Sequence, residues 1–387
     1  MTVAHPPGVP GIDIPRFAAW LARSLPAAGS ITAIEVIAGG RSNLTYRVEL
    51  ATAEADPDTD TATDTAVAAA GGLSRVVVRR PPLGHVLPTA HDMGREYRVL
   101  SALADSAVPV PRPLALCPDE DVIGAPFYVM EYVTGRVLRT AEDAAAAGVT
   151  ADQARALSGQ LVDVLANIHL LDVEAAGLAD FGRPAGYLAR QLRRWGKQWE
   201  SSHAARVQAA GKPDELPEYD RLAARLAARL PAAESASAAL VHGDYRLDNA
   251  LVQLAPEPLI AAVVDWEMST LGDPLADLGL SLVYWADPDD EERLAIPVGS
   301  TVTSTPGFGT GQDFAERYAA QTGFDLTDLD FYVAFGCFKL AVVLEGINAR
   351  FLQNATVGEG FAEIGAAVPV LIDRAHRILD ARSPWPR

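Results

Sequence analysis

With 387 residues, 49% of them hydrophobic and 7% aromatic, the chain is long enough for two cores and too apolar to be a disordered polypeptide. Its formal charge of −18 excludes the basic footprint of a nucleic-acid binder, and ten of the negative charges sit in two runs, at 54–64 and 287–292. Without those runs the balance is that of an ordinary soluble enzyme, so the acidity alone does not define a cation site.

Two distant cysteines, Cys117 and Cys337, exclude a disulfide framework and a cysteine zinc site, and they suit a reducing, cytoplasmic setting. Met1 to Pro15 has no basic segment leading into an apolar run, so no secretory leader is expected. The most apolar stretch, 331–347, is interrupted by Lys339 and Glu345 and is too short for a bilayer. It reads as a buried helix, and no membrane role is expected.

In chain order, strands are expected at 31–38, 45–50 and 75–79, separated by an Ala-, Thr- and Asp-rich loop at about 51–73. Residues 91–103 carry Met93, Tyr97, Leu100 and Leu103 at helical spacing. A Pro-rich run, 108–113, closes that unit, and 127–133 reads as an apolar strand stopped by Thr134-Gly135. Beyond residue 150 the texture turns helical, at 151–170 and 219–230. Short β-type patches at 239–241, 250–253 and 260–265 interrupt it before helices resume at Pro274, with a further loop at 287–312. These shifts predict an α+β protein with a β-rich lobe over 1–133 and a mainly helical lobe over 134–387.

The chemistry concentrates in Val241-His242-Gly243-Asp244-Tyr245-Arg246-Leu247-Asp248-Asn249, followed sixteen residues later by Asp265-Trp266-Glu267. Apolar runs flank both clusters, which puts the polar groups at strand ends or in tight loops where Asp244, Asn249 and Asp265 can converge. Two carboxylates and an amide oxygen are hard ligands of the kind magnesium takes together with substrate phosphates. Phosphoryl transfer asks for little more: charge neutralisation, and a carboxylate that orients and deprotonates the attacking hydroxyl. Asp and Asn also cap turns, and that structural role is the alternative for each of them singly.

The joint pattern, His242 to Asn249 followed by Asp265 to Gly279, resembles the aminoglycoside phosphotransferase and choline kinase family. In particular it resembles the branch whose kinase-like domains are fused to acyl-CoA dehydrogenases, over roughly residues 30 to 350. The resemblance implies a protein-kinase-like two-lobed fold and an ATP- and Mg2+-dependent transfer of the γ-phosphoryl group to a small-molecule hydroxyl. The acceptor it suggests is a hydroxyacyl compound or an aminoglycoside; the alternative is a weak or inactive nucleotide-binding pseudokinase. It makes Asp244 the catalytic base, Asn249 and Asp265 magnesium ligands, and Glu267 either a second-metal ligand or an ion-pair partner. Arg246, two residues after the base, contacts the transferred phosphate or an anionic substrate group, or else pairs with Asp248. Asp273 and Asp277 hold a helix start and the loop together.

In the first lobe, Gly39, Gly40, Arg41, Ser42 and Asn43 lie between two predicted strands. They form either a loop whose N–H groups cover ATP phosphates or an ordinary hairpin turn. Where the family generally has a lysine, Val78-Arg79-Arg80-Pro81 offers Arg79, with Glu96 as its expected partner; this departure is the support for the pseudokinase reading. Met130, Glu131, Tyr132 and Val133 resemble the hinge whose backbone binds adenine, and their side chains fit a core equally well. His169 reads as a core residue. Trp195 and Trp199, one helical turn apart, either wall the acceptor pocket or pack.

Overall fold

The computed structural model describes residues 9–37, 43–51, 73–83, 91–210, 217–230, 238–296, 300–353 and 363–385. It divides into two compact units, Met1–Thr134 and Gly135–Arg387.

In the first unit, Asp13 accepts a hydrogen bond from the Arg16 N–H and starts helix α1 (Ile14–Ser24), with Pro15 in its first turn. Strands β1 (Ile31–Val36), β2 (Leu44–Leu50) and β3 (Arg75–Arg80) precede helix α2 (Met93–Leu103), and β4 (Pro113–Cys117) and β5 (Phe127–Glu131) follow it. The sheet order is β1-β2-β3-β5-β4, antiparallel throughout. Side chains alternate across a strand, and β3 uses both faces. Val76 and Val78 join the core with Phe17 and Trp20 of α1, where the Trp20 and Phe127 rings meet at 4.7 Å. Burying each such apolar side chain is worth about 1.5–3 kcal/mol. Arg79 lies on the opposite face, toward α2.

Sequence reasoning missed α1, although Ile14, Phe17, Trp20 and Leu21 show helical spacing and all are buried. It also ended the unit at the proline run, which instead leads into β4. The first predicted strand stops at Val36 and the last at Glu131. The predicted 51–73 loop falls outside the described residues except for Ala51 and Leu73.

In the second unit, helices α3 (Ala141–Ala146), α4 (Ala151–His169), α5 (Tyr187–Ala210) and α6 (Pro217–Ala228) lead to two short antiparallel ribbons. One pairs β6 (Ala239–Val241) with β9 (Thr270–Gly272), and the other pairs β7 (Ala250–Gln253) with β8 (Leu259–Val263). Helices α7 (Pro274–Tyr284), α8 (Glu291–Leu294), α9 (Gly311–Thr322), α10 (Leu329–Leu352) and α11 (Ile364–Ala381) complete it. Helix α10 is buried along most of its length and packs against α5, α7 and α11, as expected of the apolar stretch around 331–347. Among the described residues no helix is long and apolar enough to cross a membrane.

Two expectations need correction here. The 287–312 segment is not a plain loop: Asp290 caps α8, and Arg293 is buried, donating to the carbonyls of Val283, Tyr284 and Ser300. Those three acceptors explain how a cation survives inside an acidic run that looks solvated in sequence. The strand expected to reach Asp265 ends at Val263, because Asp265 turns into the left-handed region (φ 68°, ψ 57°).

Candidate active site

Strand β6 delivers His242, Gly243 and Asp244 from a buried ribbon, and the loop they open is fastened at several points. Asp277, in the first turn of α7, accepts from the His242 N–H at 2.6 Å and the Gly243 N–H at 2.8 Å. Asp277 is itself buried and hydrogen-bonded by His169, whose other ring nitrogen meets the Tyr318 hydroxyl at 2.6 Å. Burial works to raise the Asp277 carboxyl, but His169 and the loop amides outweigh it and hold it below the usual carboxylate range. His169 is thus a core residue with a task, supporting the carboxylate that supports the loop.

Gly243 has φ +86°, and a Cβ there would lie 2.7 Å from the Met268 carbonyl oxygen, so only glycine fits. The Asp244 N–H donates to His242 Nδ1 at 3.2 Å, which leaves the ring hydrogen on Nε2, and Nε2 donates to the Val264 carbonyl at 3.0 Å. The Val264 N–H in turn donates to the Asn249 carbonyl at 2.9 Å. The backbone of Val264 therefore ties together the start and the end of the 242–249 loop, immediately before Asp265.

Within that frame Asn249 Nδ2 donates to the Asp244 carbonyl at 2.8 Å and to Asp244 Oδ2 at 3.1 Å, which turns Oδ1 away from Asp244. The Asp244 carboxylate also takes a hydrogen bond from the Tyr284 hydroxyl. Burial pushes Asp244 upward, but Arg246, Lys339 and Tyr284 together hold it below the ordinary carboxylate range, so it is ionised at neutral pH. Arg246 lies over the Tyr284 ring at 4.7 Å, with Nε 3.6 Å from Asp244 and Nη1 3.7 Å from Asp248. Burial opposes its charge, and Asp244, Tyr284, Asp248 and Asp265 more than compensate. The pairing with Asp248 is therefore present, together with one to Asp244. Among the described residues Arg246 Nε and Asp248 Oδ1 have no hydrogen-bond partner.

The second unit thus brings Asp244, Arg246, Asn249 and Asp265 together. Glu267 lies on the next turn (Trp266–Met268), half-buried. Among the described residues no group of three His, Cys, Asp or Glu side chains forms a metal cluster. Asp273 caps α7 through the Leu275 N–H. Trp195 and Trp199 are both buried, and Trp199 stacks on Tyr219 at 3.8 Å, a packing role.

Two site residues escaped the sequence reading. Lys339, midway along α10, donates from Nζ to the Gly243 carbonyl at 2.5 Å, and Tyr284 ends α7 against Asp244. The signal for Lys339 was visible, since a lone lysine in an apolar helix must face something polar.

In the first unit, Glu96 is 2% exposed and accepts from Asn43 Nδ2 (2.9 Å), Arg79 Nε (2.7 Å) and the Tyr128 hydroxyl (2.9 Å). Arg79 and Glu96 therefore meet as expected, with Asn43 attached. Gly39, Gly40, Arg41 and Ser42 lie outside the described residues. Met130 is buried in β5, and the Glu131 N–H donates to the Arg112 carbonyl. Arg75 lies over the Tyr132 ring at 5.4 Å, and Val133 is half-buried beyond the strand.

A family model described as the phosphotransferase enzyme family matches residues 33–330. Over 367 residues the chain is 32% identical to a protein of Arabidopsis thaliana named "Probable acyl-CoA dehydrogenase IBR3", covering 93% of this chain and 41% of that protein. It is 34% identical over 317 residues to acyl-CoA dehydrogenase family member 10 of Mus musculus, covering 81% of this chain and 26% of that one. The chain thus spans less than half the length of these relatives. A crystal structure from Ralstonia eutropha, provisionally named an aminoglycoside phosphotransferase, matches with a TM-score of 0.73 at 29% identity, covering 95% of this chain and 98% of the other. The α+β, kinase-like fold expected from sequence is borne out.

Proposed function

Since this chain belongs to the phosphotransferase enzyme family, of the aminoglycoside phosphotransferase and choline kinase type, we propose that it moves the γ-phosphoryl group of ATP to a hydroxyl of a small molecule. The observation that carries this reading is the Val264 backbone, which binds both ends of the 242–249 loop and so keeps Asp244, Asn249 and Asp265 in one place. The acceptor oxygen forms a bond to the γ-phosphorus while the bond to the β–γ bridging oxygen breaks and ADP leaves; the hydroxyl proton passes to Asp244. A carboxylate held below its ordinary range is ionised and oriented, and it accepts the proton late, as suits a loose phosphoryl transition state.

The donor chemistry fits magnesium: Asn249 Oδ1 and the Asp265 carboxylate are hard oxygens flanking the base. Held there, the ion would supply charge neutralisation on the triphosphate. Arg246 supports the same charge from the protein side. In the first unit, Gly39 to Asn43 and Arg79 are assigned to the phosphates, with Glu96 fixing Arg79, and the 130–133 backbone to adenine. The acceptor is a hydroxyacyl compound or an aminoglycoside.

Release of ADP from ATP in the presence of acceptor, measured for the full chain and for Asp244→Asn, tests the assignment. Loss of the base should lower kcat by about 10²–10⁴-fold, and an unchanged rate would refute the mechanism. One observation favours a second reading, nucleotide binding without turnover: arginine stands where the family generally has lysine. Thermal stabilisation by ATP with no ADP release across an acceptor panel would establish it.

A further inference from the structure

Between Asp180 and Glu200 the chain carries five cations, Arg183, Arg190, Arg193, Arg194 and Lys197, and no acid, in a protein with 50 acidic against 32 basic residues. Most of that stretch is the start of α5. Arg190 turns back onto the carbonyls of Arg183 and Ala185 and is committed there. Arg194 is exposed, and its guanidinium lies over the Trp195 ring at 5.3 Å. Lys339 reaches the same ring from α10, with Nζ 5.5 Å from the centroid, while donating to the Gly243 carbonyl beside Asp244.

Among the described residues no carboxylate lies within ion-pair distance of either cation, and the charge of Arg194 acts against that of Lys339. Burial lowers Lys339, Asp244 and Asp277 raise it, and Arg194 lowers it further, leaving it below the ordinary lysine range. Two like charges beside one aromatic ring, next to the Asp244 loop, are relieved by an anion that reaches both. A cationic acceptor at this place would be repelled.

We infer that Arg194 and Lys339, gathered at Trp195 beside the Asp244 loop, receive an anionic group, a carboxylate or a phosphate, carried by the acceptor. This rests on the kinase reading of Asp244 and narrows its substrate class: the acceptor is a hydroxy compound with a negative group within reach of its hydroxyl, and polycationic aminoglycosides are disfavoured. Arg194 and Lys339 are specificity residues in this account, acting on the acceptor and not on the transferred phosphoryl group.

The test is calorimetric titration of sodium phosphate, and separately of sodium acetate, into the full chain with and without saturating ADP and magnesium. Wild type is compared with Arg194→Gln and Lys339→Met. Wild type should take up one of the two anions, and Arg194→Gln should weaken that binding roughly tenfold or more, the loss of a charge-assisted contact. The phosphate and acetate arms decide which group the subsite takes. Arg194 is exposed, so its variant folds even where Lys339→Met does not. Identical isotherms for wild type and Arg194→Gln, or no uptake of either anion, overturn the inference whatever the nucleotide does. Failure of ADP to bind while the Arg194-dependent anion site persists would instead remove the kinase reading and leave the anion site standing.

Discussion

Asp277 Oδ2 accepts the backbone N–H of His242 at 2.6 Å, across 35 residues of chain, and so joins the first turn of α7 to the start of the 242–249 loop. A buried carboxylate bound this way cannot be replaced by an amide without turning an NH₂ toward another N–H donor. Asp277→Asn should destabilise the fold by about 2–3 kcal/mol, the scale of lost charged hydrogen bonds. It should lower kcat more than it raises KM for ATP, since it displaces the proposed base, Asp244, and leaves the first unit alone. Denaturant unfolding and steady-state kinetics on the same preparation check both; a variant of wild-type stability would contradict the packing described.

Gly243→Ala puts a methyl group 2.7 Å from the Met268 carbonyl oxygen at a positive φ. The expected cost is at least about 1–3 kcal/mol, with activity falling further because Asp244 is the next residue. Thermal unfolding and ADP release measured together would show it.

Glu96→Ala removes the carboxylate that gathers Asn43, Arg79 and Tyr128. With Arg79 only 11% exposed, breaking this buried pair should cost about 3 kcal/mol or more. Arg79→Lys keeps the charge and loses the fork, so it should cost less in stability while changing the affinity for ATP. Equal stability losses for the two variants in urea titrations would contradict this ordering.

The Arg374 guanidinium meets Asp290 at 2.5 Å. Burial raises Asp290, and the Arg374 pairing overcomes it, so the carboxyl titrates lower in the folded chain than in the unfolded one. A group depressed on folding contributes stability above its unfolded value, about 3.9, and loses it as pH falls through the folded value. Asp290→Asn should therefore be less stable than wild type at neutral pH, with the gap closing in acid. A gap independent of pH would exclude the ion pair as its source.

Legibility in sequence followed the distance over which each interaction acts. The 242–249 loop and Asp265 could be read because short apolar runs bracket them and a fixed interval relates them. Strands β6 and β7 were legible for the same reason, and β8 nearly so, whereas β9 (Thr270–Gly272), the partner of β6, was not read. Lys339 and Glu345 entered only as interruptions of an apolar stretch, because their partners, Gly243 and Arg206, lie about 100 residues or more away in the chain. The backbone reversal at Asp265 was hidden by the apolar residues before it, which continue a strand pattern. Arg293 was hidden by its acidic neighbours, since nothing local announces three converging carbonyls.

The shared Val264 backbone has an implication for how such a protein diversifies. With the proposed base and candidate metal ligands clamped to the backbone of a single residue, a drift in one drags the others, so the proposed reaction is kept as a block or lost as a block. Helix α5 is under no such bond, and its outward-facing side chains can vary one at a time. New acceptors would be won there.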